Sequence, residues 1–287
     1  MMCVMENCME EGMDPMCIVT NCWSEFLTLP ENCRNCLLSE GIGSISDEGD
    51  ITSIFTNCMS SKDIEYEYSG NNGILLLSKH PLKDKQFSTL TSYGIIRGVA
   101  VATIGKMETS DGKIYDPKPG IGDVQVICTG LSKPIEGISY EGEFGSWQQE
   151  QIAQVEELLE IPVEADVVQR VIMGDFNGNV AGGRNILERN PGAVSTMLSE
   201  GWYDPYFDVY RDDLIPCSVC PENPLVPDSE PGYVPDHIFF NTSNGYNFTT
   251  GRHLIHEFII VDEKAKTKAR YSVSDHYAVS ATMTIEK

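Results

Sequence analysis

An apolar run, Val171-Ile172-Met173, leads into Gly174-Asp175-Phe176-Asn177, and roughly one hundred residues later the chain reads Ser274-Asp275-His276. Each segment sets a carboxylate where an apolar strand would stop, so both demand a fold whose strand ends meet at one cleft. Asp175 and Asn177 lie two apart, which on extended backbone turns them to the same side while Phe176 points into the packing. Adjacent strand residues face opposite ways, so Asp275 and His276 serve one site only at a strand end or bend. A third acid opens the segment Asp236-His237-Ile238-Phe239-Phe240. A carboxylate there can fix the tautomer of His276 and stabilise its imidazolium, while its neighbour His237 should face away. Carboxylates hold divalent cations or activate water, an amide orients a phosphate oxygen, and an imidazole trades a proton.

The intervening pattern predicts the scaffold. Short apolar runs bounded by turn residues place strands at 74–78, 95–104, 124–128, 167–173, 237–240, 254–261 and 278–285. Ser146 and Gln149 form a capping box before a helix whose Ile152, Val155, Leu158 and Leu159 share one face. Asn190-Pro191 opens a second helix that Gly201 closes. A proline-rich loop fills 204–235, and the strand, helix, strand order around the first helix is βαβ-like.

Gly174-Asp175-Phe176-Asn177, Asp236-His237-Ile238 and Ser274-Asp275-His276, in that order, resemble the endonuclease/exonuclease/phosphatase superfamily with its deoxyribonuclease I-like fold. The resemblance covers about residues 64–287. It implies an α/β class, a two-sheet β-sandwich flanked by helices in four layers. It also implies a divalent-metal-dependent phosphoester hydrolase of the phosphodiesterase type. In that scheme Asp175 aligns or activates water and Asn177 binds the phosphate. Asp236 orients His276, which serves as acid/base or charge stabiliser, and Asp275 helps hold Mg²⁺ or another divalent ion such as Mn²⁺ or Ca²⁺. Asn72, in the turn Gly70-Asn71-Asn72-Gly73, is assigned to substrate, although a turn former fits it too. Tyr66 and Tyr68 read as strand aromatics, and Lys79 and Arg97 as surface charges.

Two departures stand beside this likeness. Gly130 follows Thr129 where many members of the superfamily carry Thr-His, so one phosphate donor is missing. Nothing in residues 1–60 resembles the superfamily's first strands, which supply an asparagine and the principal metal-binding glutamate; Glu6, Glu10 and Glu11 match by type only. The expectation is therefore a sequence that begins inside a longer protein. The alternative is a non-catalytic pseudoenzyme that binds a phosphorylated ligand or a protein partner.

Charge narrows the substrate. Forty-three acidic residues against 20 basic give a net charge of −23. Such a body repels polyphosphates over its whole surface, which disfavours nucleic acid and favours a lipid-headgroup or small phosphoester, with the cation reversing the sign locally. No stretch approaches the ~18 continuous apolar residues of a membrane span, and a monomer is expected.

Cysteine placement divides the chain into a disulfide-stapled segment, 1–60, and a phosphatase-like domain, 61–287. Cys3, Cys8, Cys17, Cys22, Cys33, Cys36 and Cys58 all precede residue 60, in sequence too loop-like to fold on burial alone. Cys217 and Cys220 form a close pair, and Cys128 ends an apolar strand without a histidine beside it. Disulfides and an oxidising compartment explain the count better than zinc held by Cys33, Cys36, Cys217 and Cys220. Two glycosylation acceptors, Asn241-Thr242-Ser243 and Asn247-Phe248-Thr249, are expected in one surface loop and fit a secreted glycoprotein. Residues 1–12 carry no leader-peptide pattern.

Overall fold

The computed structural model describes residues 74–93, 96–108, 112–116, 122–134, 140, 142–181, 186, 188–209, 215–223, 225–226, 231–241, 246–253, 256–262, 267–272 and 274–285, with Cys22, Glu25 and Thr28. Asn72, Tyr66, Tyr68 and nearly all of the cysteine-rich segment lie outside them.

Five strands form the main sheet: β1 (Lys83–Leu90), β2 (Arg97–Ile104), β5 (Asp123–Gly130), β6 (Val167–Asp175) and β7 (Asp236–Phe240), in the spatial order β1-β2-β5-β6-β7. Two-residue strands β3 (Met107–Glu108) and β4 (Ile114–Tyr115) form a small antiparallel pair. β5 and β6 run parallel and the other neighbours antiparallel. Parallel strands need a crossover, and helix α1 (Trp147–Leu159) supplies it. The Ser146 hydroxyl accepts from the Gln149 N–H at 3.1 Å, as the capping pattern predicts.

α1 buries Val155 and Leu158 in the core, and α2 (Gly192–Ser199) adds Ala193, Val194 and Met197. Both pack on one face of the sheet against Val99, Val101, Ile127, Ile172 and Phe239. α2 ends as expected: Gly201 has φ +82, and the Trp202 and Gly201 N–H groups return to the Met197 and Leu198 carbonyls.

A short helix α3 (Pro205–Val209) interrupts the expected loop 204–235. Its Tyr206 and Phe207 gather Ile186, Ile215, Val234 and Val279 into a second cluster. Beyond β7 the chain continues as β8 (Tyr246–His253), β9 (His256–Asp262), β10 (Thr267–Ser272) and β11 (Ala278–Ile285), paired as β8–β11 and β9–β10. Phe248 of β8 packs on Phe240 of β7 with ring centroids 4.8 Å apart. The class is α/β, with helices and the β8–β11 pair packed against a mixed sheet, as the sequence predicts.

Two expectations about strands fail. Residues 74–78 are irregular, whereas the polar stretch Lys83–Leu90 forms β1. The polar stretch Tyr246–His253 is likewise a strand, so Asn247 sits in β8 while Asn241 follows the end of β7, and the two acceptors do not share a loop. Hydrophobic alternation marks strands that bury one face. β1 is a sheet edge and exposes most of its side chains, so its pairing is carried by backbone hydrogen bonds that composition does not reveal.

Candidate active site

β6 is the strand on which the site depends. Its sequence, VVQRVIMGD, buries Ile172 completely and ends on Asp175. Gly174 takes φ +147, and a Cβ built there would lie 1.8 Å from the Thr129 carbonyl oxygen. Only glycine lets β6 run that close to β5. The Asp175 carbonyl then accepts from Leu131 N–H at 2.8 Å, and Phe176 N–H donates to the Pro235 carbonyl at 2.7 Å. Asp175 is therefore pinned between β5 and the entry to β7.

The registers bring the acids together. Gly130 of β5 and Asp236 of β7 both pair with Asp175, and side chains directly opposite in neighbouring strands share a face. His276 arrives on the turn before β11, where Asp236 Oδ2 and its Nδ1 are 2.8 Å apart. Burial by itself disfavours a charged His276. The Asp236 hydrogen bond and charge, helped by Asp175 and Asp275, outweigh that and push its pKa up to about 9. Burial raises Asp175 to about 6, and the Asp236 carboxylate adds to the shift. His276, the Asn177 N–H and Arg97 pull it back. The cleft thus pairs a carboxyl poised near neutrality with a protonated imidazole.

Stability should record this pair. An imidazole at about 9 against an ordinary 6.5 favours the folded state while protonated. That contribution is complete below about pH 6.5 and is lost as pH rises through about 9. The melting temperature is expected to fall over that window, and Asp236→Asn to flatten the fall when the two proteins are melted side by side.

Asn177 is placed differently from its expectation. It does not lie on extended backbone: its φ is +49, a left-handed conformation that asparagine tolerates. Its N–H donates to Asp175 Oδ1 at 2.8 Å and its amide nitrogen to the Leu131 carbonyl at 2.8 Å. The strand ends at Asp175, so the two-residue alternation no longer applies beyond it. Asn177 holds the Asp175 carboxylate and the β5 exit rather than sharing a face with Asp175.

His237 turns inward, as its neighbour's role requires. It is buried, with Nδ1 2.7 Å from Asp204 Oδ2 and Nε2 donating to the Gly178 carbonyl at 2.9 Å. Its ring stacks on Phe207 and Phe239 and meets the edge of Phe176. A second Asp–His pair therefore supports the Phe176–Gly178 loop from below. Arg97 was expected as surface charge. It is half-buried at the start of β2, close enough to lower the Asp175 pKa. Lys79 is exposed. Cys128 carries a free thiol, pushed up by burial, which suits a packed strand residue rather than a nucleophile.

Cys217 and Cys220 form a disulfide, and Cys22 is disulfide-bonded as well. Among the described residues, the trio with potential ligand atoms within 4.8 Å of one another is Cys217, Cys220 and Glu222, and its cysteines are bonded to each other. Thiolate zinc chemistry is thereby removed from that pair. The donors at the cleft are carboxylates, hard oxygen ligands suited to magnesium, manganese or calcium. Magnesium takes one or two carboxylates and completes its shell with water and phosphate oxygens. Asp275 is exposed beside His276, and among the described residues no three carboxylates bring their oxygens within 4.8 Å of one another.

The sequence matches no protein-family model and no curated protein. Solved structures do match. The chain is similar in structure to an endonuclease/exonuclease/phosphatase family protein from Bacteroides thetaiotaomicron, at 14% identity and a TM-score of 0.47 over 72% of this chain and 66% of that one. It is also similar to beta toxin from Staphylococcus aureus, at 17% identity and 0.44 over 71% and 65%. Sphingomyelinase C from Streptomyces griseocarneus gives 16% and 0.40 over 71% and 65%. The chain spans just under two thirds of the length of these structures.

Among the described residues no helix is long and apolar enough to cross a membrane.

Proposed function

We propose that the chain is a divalent-metal-dependent phosphoester hydrolase of the phosphodiesterase type. One observation carries the reading: Asp175, Asp236 and His276 converge at the junction of β6, β7 and the 274–276 turn, with the Asp236–His276 contact at 2.8 Å. A carboxyl raised to about 6 accepts a proton from water near neutral pH. A protonated His276, aimed by Asp236, donates to a phosphoryl or leaving oxygen, and Arg97 adds positive charge to the same end of the sheet. Asn177 keeps the Asp175 carboxylate in place, and Asn72 remains assigned to substrate. Asp275 would hold the cation, which supplies charge neutralisation at the phosphoryl oxygens when bound. The acidic body favours a lipid-headgroup or small phosphoester over DNA. Disulfide bonding supports a secreted protein.

The test is turnover of bis-p-nitrophenyl phosphate, sphingomyelin and DNA by the full chain with Mg²⁺, repeated with chelator and with Asp175→Asn. Turnover of the small diester or the lipid is expected, abolished by chelation and lowered about 10²-fold or more by the substitution. Activity indifferent to both changes would sink the proposal. Gly130 favours a second reading. Its position opposite Asp175 carries no side chain, and the donor absent there is worth about 3–4 kcal/mol of transition-state stabilisation. A chain that binds phosphorylated ligands at this cleft without turning over any substrate would be the pseudoenzyme.

A further inference from the structure

We propose that the loop 217–223, stapled at its start by the Cys217–Cys220 disulfide, is a positioning clamp for His276, and that Asn223 is the residue that locks it. The inference rests on the assignment of His276 to the site.

The 274–277 segment has no strand of its own, yet its backbone polar groups must find partners. Three of these contacts are made to this one loop. Tyr277 N–H donates to the Ser218 carbonyl at 2.7 Å, His276 forms an isolated antiparallel bridge with Val219, and the Asn223 amide donates to the Ser274 carbonyl at 2.9 Å. Within the turn, His276 N–H reaches Ser274 Oγ at 3.0 Å. The same loop grips the approach to Asp236. Ser218 and Val219 N–H both donate to the Tyr233 carbonyl at 3.1 Å, and Tyr233 N–H returns to Val219 at 3.0 Å. Three residues later the chain reaches Asp236. Both partners of the Asp236–His276 contact are therefore registered against one short piece of chain.

That piece is internally fixed. The Cys217–Cys220 bond closes its first four residues, which removes conformations that a free segment of that length would sample. Asn223 is fully buried. Its N–H donates to the Cys220 carbonyl at 2.9 Å, and its Oδ1 accepts from Leu225 N–H at 3.1 Å. The Oδ1 contact is an ordinary turn former's bond. The outward bond from the amide nitrogen to Ser274 is a separate function, and it acts on His276 through the turn rather than on substrate. Asn223 is thus a positioning residue.

Asn223→Asp separates the two functions. It keeps the acceptor for Leu225 and nearly the same volume, but sets an oxygen against the Ser274 carbonyl. A Cys217→Ala/Cys220→Ala variant opens the loop without disturbing the disulfide of Cys22, which a thiol reductant would also attack. Hydrogen exchange at the Tyr277 amide is read in each, with β6 amides as the control for folding. Exchange about tenfold or more faster at Tyr277, with β6 unchanged, is expected in both variants.

The kinetic arm is a double-mutant cycle. Asn223→Asp should lower kcat about tenfold or more with KM within about twofold, and should cost less than about twofold in a His276→Ala background. Unchanged Tyr277 exchange overturns the clamp, and so does an Asn223→Asp penalty that is the same with and without His276. If the chain turns over no phosphoester, the exchange arm alone decides the clamp, and the failure belongs to the proposed activity. If the double cysteine variant does not fold, Asn223→Asp carries the decision.

Discussion

His276→Ala is expected to lower kcat by about 10²–10⁴-fold, the range that a positioned acid or base contributes, on whichever phosphoester the chain turns over. The expectation follows from where the ring's proton is held. Asp236 sits 2.8 Å from Nδ1, so Nε2 is the nitrogen left to face a phosphoryl oxygen. With a pKa of about 9 the ring is charged throughout the neutral range. Asp175, at about 6, is ionised over the same range. The kcat/KM profile should therefore be a bell, rising through about pH 6 as Asp175 loses its proton and falling through about pH 9 as His276 does. In His276→Ala the alkaline limb should vanish while the acid limb stays. Asp236→Asn removes the group that holds the ring charged, so the alkaline limb should move toward the ordinary histidine value near 6.5. A His276→Ala enzyme within twofold of the parent, or one that keeps its alkaline limb, would show that this ring has no part in the chemistry.

The parts of this site that could be read from sequence are those encoded within a few residues. An apolar run that ends in Gly-Asp, a proline followed by an acid and an apolar run, and Ser-Asp-His before another such run each announce a strand end with a polar tip. The structure puts Asp175, Asp236 and His276 there. Their mutual contact depends on β6 and β7 being neighbours in register, which order along the chain suggests only through resemblance. Asn177 escapes because alternation does not hold two residues past the strand, in a left-handed turn. Arg97 reaches the site through the pairing of β2 with β5, and no local spacing marks it. Asn223 bonds a carbonyl 51 positions away, and a buried asparagine in a loop has no signature distinguishing it from an ordinary turn residue. β1 escaped for the opposite reason: it is an exposed sheet edge, so the backbone pairs where the side chains give no sign.

Gly174→Ala should be the most destabilising single change on β6, at about 4 kcal/mol or more, read as a lower denaturant midpoint at unchanged m-value. Two costs combine. Alanine pays for φ +147, a region that L residues rarely enter. Its Cβ would also meet the Thr129 carbonyl oxygen at 1.8 Å and carbon at 2.8 Å, both backbone atoms of a central strand. Neither can swing aside as a side chain could, so the parallel β5–β6 pair must part where Thr129 faces Gly174. One residue further on is Asp175, whose carbonyl takes the Leu131 N–H. Parting the strands breaks that tie to the end of β5 and shifts Asp175 from the place it is held in, so activity should collapse at temperatures where the variant is still folded. Gly130→Ala supplies the control on the opposite strand. A Cβ at that position meets nothing nearer than the Asp175 carbonyl oxygen at 4.0 Å, an ordinary contact, and its φ lies outside the strained positive range. It should leave the unfolding free energy within about 1 kcal/mol of the parent, and so the midpoint nearly unmoved. Equal midpoints for the two alanine variants would mean that β6 tolerates a side chain at 174, and the glycine of Gly-Asp-Phe-Asn would then lose its structural explanation.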